Sequence, residues 1–359
     1  MLRIRQSLPE NILHGGLKAS DLSEAEQRTL YSAEKGRDFF TQTPLDRETR
    51  IDRAMDAVHH QLERGHLVQE LFETLQHSHL RQGETIHLIY PWRKQNDSSN
   101  PVPLVLADTL KDKLGAMVAA DPKLNRLGLK FDTAPIYHVT KNSRKNLNHF
   151  ERLVARSSFE PPTCTGKAFL VDDDVMTGMS TAEMYAALTA NGHIDLLAAA
   201  TLNVYDGGHR LRIHPAVRQA LADSLRDNTA PPEAGNIGHF EKALKYFGYA
   251  KGLDSLTNME ALCLIASLNT PTVAMNHLRA LWPAFNDGSL DQTNQRLINN
   301  GYEIWPHLND ALPLEQRLQH MLVQLANQPK LDLQKDGIAK MYELAEQRAT
   351  TVEKTTELA

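Results

Sequence analysis

Apolar residues recur along this chain at two periods, and the change between them divides it. Over residues 47–75, Ile51, Met55, Val58 and Leu62, then Leu67, Leu71, Phe72 and Leu75, return every three or four positions, the spacing that keeps one helix face apolar. Residues 22–40 read as a further helix, set off by the breaker Thr43-Pro44. Gly65 interrupts the longer stretch, so one helix and two helices joined at Arg64-Gly65-His66 both fit. Residues 1–80 are thus expected to form a helical N-terminal segment able to cap a neighbouring site.

From about residue 84 short β-rich runs alternate with helical patterns. Residues 85–90, 134–139, the stretch starting at Lys167, and 194–204 read as strands. Residues 101–117 read as a helix with Leu104, Ala107, Leu110 and Leu114 on one side and Pro103 in its first turn; 181–191 read as another, stopped at Asn191-Gly192. Such alternation predicts a doubly wound parallel sheet over residues 81–210. Beyond that the pattern is helical, at 217–225, 240–247, 258–268, 272–281, 314–326 and 337–349, so residues 211–359 are expected to form a helical C-terminal domain. The stretch 230–238, with Pro231, Pro232, Gly235 and Gly238, is the most linker-like.

Composition narrows the class without naming a chemistry. With 359 residues, 41% hydrophobic and 23% charged, the chain is long enough for a large core, and its formal net charge of -5 gives no reason to expect nucleic acid or an anionic membrane as partner. Cys164 and Cys263 are its two cysteines, too few for a disulfide scaffold and in keeping with a reducing compartment. No apolar stretch suits a signal peptide or a bilayer span, so a cytoplasmic location is expected. The 16 histidines include His59-His60 and His66, but no pair four apart on one helix face of the kind zinc enzymes use. A Gly-x-Ser-x-Gly elbow and a Walker loop are both missing from the sequence.

Chemistry concentrates in FLVDDDVMTGMST, residues 169–181. Ala168 to Val171 are continuously apolar, as in a strand buried on both faces of a parallel sheet, and Asp172 and Asp173 follow at its carboxyl end. Ligands of open α/β sheets bind at that edge, and adjacent carboxylates there can accept hydrogen bonds from the vicinal hydroxyls of a sugar. Thr177, Gly178, Met179, Ser180 and Thr181 lead into a helix whose free N–H groups attract a phosphate. The bland alternative is that Ser180-x-x-Glu183 is a capping box and the Asp run a solvated turn.

This segment resembles the signature of type I phosphoribosyltransferases, in which a hydrophobic strand leads to two acidic residues and a Thr-Gly phosphate loop. The resemblance covers about a third of the chain and implies that fold, flanked by helical extensions. It further implies that Asp172 and Asp173 hold the ribose 2- and 3-hydroxyls of phosphoribosyl pyrophosphate (PRPP), while Thr177, Gly178, Met179, Ser180 and Thr181 wrap its 5-phosphate. Asp174 stands where the family has an aliphatic residue, and Met176 where some members carry an Asp beside the nucleobase.

The same resemblance calls for a pyrophosphate loop and a mobile basic loop. Arg93 and Lys94, after the strand at 85–90, suit the first, although the polar run Asp97-Ser-Ser-Asn100 also suits a solvated turn with helix caps. Lys141, Arg144 and Lys145 suit the second, since Leu147, Phe150, Leu153 and Val154 have helical spacing that leaves Arg152 and Arg156 on a solvated face. The implied activity is Mg2+-dependent transfer of phosphoribose to a nucleobase or related nitrogen heterocycle, with Mg2+ held mainly through PRPP near Asp172 and Asp173. The implied partners are PRPP and a small-molecule acceptor, and a homodimer is compatible with it. The other reading is a PRPP-binding regulator without turnover, its helical C-terminal half docking a partner.

Overall fold

The computed structural model describes residues 4–5, 8–17, 21–93, 99–139, 152–153, 155–175, 178–190, 192–204, 210–227 and 237–268. The helices expected at 272–281, 314–326 and 337–349, and most of the linker-like stretch, lie outside them.

Three helices come first: α1 (Glu24–Lys35), α2 (Arg47–Arg64) and α3 (Leu67–His77). Ser23 and Glu26 close a capping box on α1. This helix stops short of the expected residue 40, because Gly36 adopts a left-handed conformation and its N–H returns to the Ser32 carbonyl. Residues 37–44 instead make a turn closed by a bridge between Arg37 and Pro44. Of the two readings of 47–75, the structure takes two helices, with Gly65 extended between them.

The alternating part runs β1 (Thr85–Trp92), α4 (Val102–Ala120), α5 (Pro122–Asn125), β2 (Lys130–His138), β3 (Phe159–Glu160), β4 (Gly166–Val175), α6 (Met179–Thr189) and β5 (Ile194–Val204). The strands form one sheet in the order β3-β2-β1-β4-β5. All neighbours are parallel except β2 and β3, which pair antiparallel. This is a largely parallel α/β fold. β4 sits between β1 and β5, and Phe169, Leu170 and Val171 are fully buried, as an unbroken apolar run between two helical layers requires.

Alternation along β4 sorts its side chains to two cores. Phe169 and Val171 pack with α1–α4, including Leu71, Leu75, Leu106, Leu110 and Leu114. Ala168 and Leu170 pack with Ala182, Met184, Ala187 and Leu188 of α6 on the other face. The connections β1-α4-β2 and β4-α6-β5 therefore cover opposite faces and diverge from the β1/β4 pair, where strand order reverses. In open α/β sheets the loops splay apart at such a reversal, and the crevice beyond the strand carboxyl ends is where ligands bind.

The free edge of β5 is covered by the amino terminus. Leu13 donates its N–H to the Ala199 carbonyl (2.9 Å) and accepts from the Thr201 N–H (2.9 Å), adding a parallel bridge that blunts the sheet edge. Gly15 then turns at φ +62, where a Cβ would lie 2.3 Å from the Leu67 backbone nitrogen, so the turn seats directly on the start of α3.

Helices α7 (Pro215–Asp227), α8 (Ile237–Tyr246) and α9 (Asn258–Leu268), with a 3-10 turn at Gly252–Ser255, complete the described chain. Among the described residues no helix is long and apolar enough to cross a membrane. Neither cysteine is in a disulfide; Cys263 is buried and Cys164 half-buried.

Candidate functional site

The crevice collects much of the chemistry. Asp172 and Asp173 end the buried run of β4, and both are buried. The Asp173 N–H donates to the Asp172 carboxylate (3.0 Å). Burial, then the charge of Asp173 and a hydrogen bond shared with it, then Asp174, raise the Asp172 carboxyl well above its ordinary value. Asp172 thus holds a proton to higher pH than an ordinary carboxyl.

Asp173 is oriented from the α4 side. The side-chain nitrogen of Asn100 donates to its carboxylate, while the Asn100 oxygen accepts the N–H of Val102 (3.1 Å), the first residue of α4. Those two bonds fix which way the amide points, since the flipped amide would set oxygen against carboxylate and N–H against N–H. One residue earlier, the Ser99 carbonyl accepts from the Arg50 guanidinium (2.9 Å), which also donates to Ala33 (3.2 Å) and Glu34 (3.4 Å) carbonyls at the end of α1. A buried Arg50 on α2 therefore clamps the end of α1 to the loop that holds Asp173.

The cap of α6 is Gly178, left-handed at φ +65, which brings no side chain of its own to cap the helix. The first helical bond runs from the Ala182 N–H to the Gly178 carbonyl (2.7 Å), so the Ser180 and Thr181 amides precede the ladder, as an anion-binding helix start requires. Ser180 is exposed, and Met179 and Thr181 are buried. The capping-box alternative does not hold. Glu183 is buried and turned away, forming ion pairs with Arg5 (2.6 Å) and with Arg156 (2.6 Å). A Cβ at Gly178 would lie 2.4 Å from Leu211 Cδ1 as well as adopting a costly φ. Gly178→Ala is expected to destabilise the fold by about 1–3 kcal/mol in urea denaturation, and to weaken phosphate binding in the fraction that folds.

Arg93 directly follows β1 and is exposed. Ile89 pairs with Leu170, so continuing the parallel register brings Arg93 to the sheet edge that carries Asp172 and Asp173. Lys94, Lys141, Arg144, Lys145, Met176 and Thr177 lie outside the described residues.

Arg156 departs from expectation. It is not on a solvated face: its guanidinium reaches both Glu183 oxygens (2.8 and 2.6 Å) and the Phe247 carbonyl (2.8 Å), over the Tyr249 ring. Sequence reasoning also missed Arg5, Arg50 and Lys35. A signal existed for Arg50, a cation falling on the apolar face of α2 beside Ile51 and Ala54, where the α-helical period leaves it no solvent. Nothing local marked Arg5, whose partners Glu183 and Glu260 are 178 and 255 positions away.

In comparison with known proteins, neither a family model, nor a curated protein, nor a solved structure matches this chain.

Proposed function

We propose that this protein is a phosphoribosyltransferase of the type I kind, transferring the ribose 5-phosphate of PRPP to a nucleobase or related nitrogen heterocycle and releasing pyrophosphate. The observation that carries the reading is one crevice with three parts in a single order. Two buried carboxylates stand at the strand-order reversal, a glycine-capped helix start lies on one face of β4, and a second helix start joined to Asp173 through Asn100 lies on the other. A ribose carrying phosphate at one end and pyrophosphate at the other matches that order.

In this reading Asp172 and Asp173 accept the ribose hydroxyls, and the amides after Gly178 receive the 5-phosphate. Pyrophosphate lies toward the start of α4, near Arg93. The anomeric carbon–oxygen bond breaks with its electron pair leaving on pyrophosphate, and the acceptor nitrogen donates its lone pair to the same carbon. Positive charge that builds on the ribose ring meets the paired carboxylates, which favours that transition state. A hard divalent ion suits such oxygen donors. Among the described residues no cluster of three or more His, Cys, Asp or Glu could hold a metal alone, so Mg2+ would be bound chiefly through PRPP oxygens beside Asp172 and Asp173. Bound there, it would neutralise charge on the departing pyrophosphate.

The test is pyrophosphate release from PRPP and Mg2+ with a panel of purine and pyrimidine bases and related heterocycles. Base-dependent release supports the transferase. PRPP binding without release under any acceptor would instead favour the regulator reading.

Asp172 makes a further demand. In this reading it meets the ribose hydroxyls as a carboxylate, a stronger acceptor than the protonated form, so PRPP binding is expected to release the proton that burial and Asp173 keep on it. Affinity should then rise with pH, by up to about tenfold per unit below the raised value of Asp172, and level off above it. Calorimetry at about pH 5 to about pH 8, corrected for titration of the ligand's own phosphates, measures this. Affinity that is flat or falls with pH would contradict it.

A further inference from the structure

The end of α1 approaches the crevice from the α1–α4 side. Arg50 holds the Ala33 and Glu34 carbonyls and the Ser99 carbonyl at once, and the next residue, Asn100, holds Asp173. Lys35, the last residue of α1, is therefore carried on backbone braced to the loop that orients a site carboxylate. Its side chain is about half exposed, and Glu34, its neighbour, is 3.4 Å away. Burial would lower the Lys35 pKa, but Glu34, then Asp174 and Asp173, raise it overall.

The faces of β4 decide which end of a ligand this cation meets. The start of α6 belongs to the core containing Ala168 and Leu170, whereas α1 and α4 share the core containing Phe169 and Val171. Lys35 thus stands on the α4 side, away from the 5-phosphate position and with Arg93 at the same strand edge. Long, flexible lysine is suited to a phosphate that must be held and then let go, since it acts as a point charge without fixed fork geometry.

We infer that Lys35, delivered by the N-terminal helical segment through the Arg50 clamp, is a leaving-group-binding residue that contacts the pyrophosphate of PRPP. This rests on the phosphoribosyltransferase reading. It makes the N-terminal segment part of the binding site rather than a passive cover, and gives the α4 side a cation from outside the α/β core.

Lys35→Ala and Lys35→Arg, compared with the unaltered full chain, test it by calorimetric titration with three probes: PRPP with Mg2+, pyrophosphate with Mg2+, and ribose 5-phosphate. Because Lys35 is exposed at a helix end, both variants should keep the parent's thermal midpoint. Lys35→Ala is expected to weaken PRPP and pyrophosphate about tenfold and leave ribose 5-phosphate unchanged, and Lys35→Arg to restore most of the loss. Equal weakening of all three ligands would overturn the inference, since it would mean that Lys35 only shapes the carboxylate pair. Unchanged PRPP binding in Lys35→Ala would overturn it while leaving the function intact. If the unaltered chain binds none of the three, the functional reading fails and this inference with it.

Discussion

Asp172→Asn is expected to yield a protein that is more stable yet binds PRPP about 10- to 100-fold more weakly, the loss of one or two charge-assisted hydrogen bonds. The two effects share one cause. Asp172 is buried against Asp173, so its folded-state pKa lies above its unfolded value and the folded protein holds a proton that the unfolded chain has lost. Stability therefore declines as pH rises from the ordinary aspartate range to the raised value. An amide carries no charge, so the variant escapes that decline. Its advantage should be absent in acid, grow through that window and plateau at about 0.5–2 kcal/mol. Thermal or urea melts of parent and variant across pH show this directly. A variant that is less stable at neutral pH would mean that Asp172 is held as a stabilised anion, contrary to its surroundings.

Glu183→Ala should have the largest effect on stability, a loss of about 3–5 kcal/mol, because it leaves Arg5 and Arg156 buried without their shared carboxylate. Arg5 is fully buried, donates also to Glu260 (2.7 Å) and to the Ser255 carbonyl (3.1 Å), and lies over the Tyr249 ring. Burial would lower its pKa, but Glu260 and then Glu183 more than reverse that, so it stays charged. Burial tends to raise the Glu183 carboxyl, yet Arg5 and then Arg156 pull it below its ordinary value. With the folded pKa depressed, its contribution is present above the ordinary glutamate range and is lost as pH falls through the depressed value. The network ties α6 to the amino terminus, to α9 and to the chain just before β3. Denaturant melts of Glu183→Ala that show less than about 1 kcal/mol of loss would mean the arginines find other partners or water.

What could be read from the residues alone follows the range of the forces involved. β5 is legible to the residue because its apolar run is bounded by Asn191-Gly192 and by polar residues after Val204. β4 is legible because an unbroken apolar run has a local cause, whereas the following helix starts at Met179, before the expected Thr181, because the left-handed Gly178 turns the chain into it. β2 is longer than its apolar part because pairing of Thr85 with Lys130 recruits residues 130–133, whose own pattern is weak. β3 has only Phe159 and Glu160, too short to leave a period, and exists because Tyr137 and His138 offer a partner.

Within the crevice the carboxylates and the helix start were visible as a motif, since one strand–loop–helix carries them. Asn100 was visible only as a polar loop residue, because its role comes from Asp173, 73 positions later. Lys35 and Arg5 were out of reach for the same reason, and Arg50 was marked only as a cation on an apolar helix face, because the Ser99 carbonyl it holds is brought near by the fold and not by chain order.

The most direct test of a sugar-phosphate site at the end of β4 is calorimetric titration of the unaltered full-length chain with PRPP and Mg2+, beside Asp172→Asn with Asp173→Asn in one chain. The account predicts saturable one-to-one binding by the parent and its loss in the doubly substituted protein with the fold retained. No binding by the parent, or equal binding by both, would contradict it.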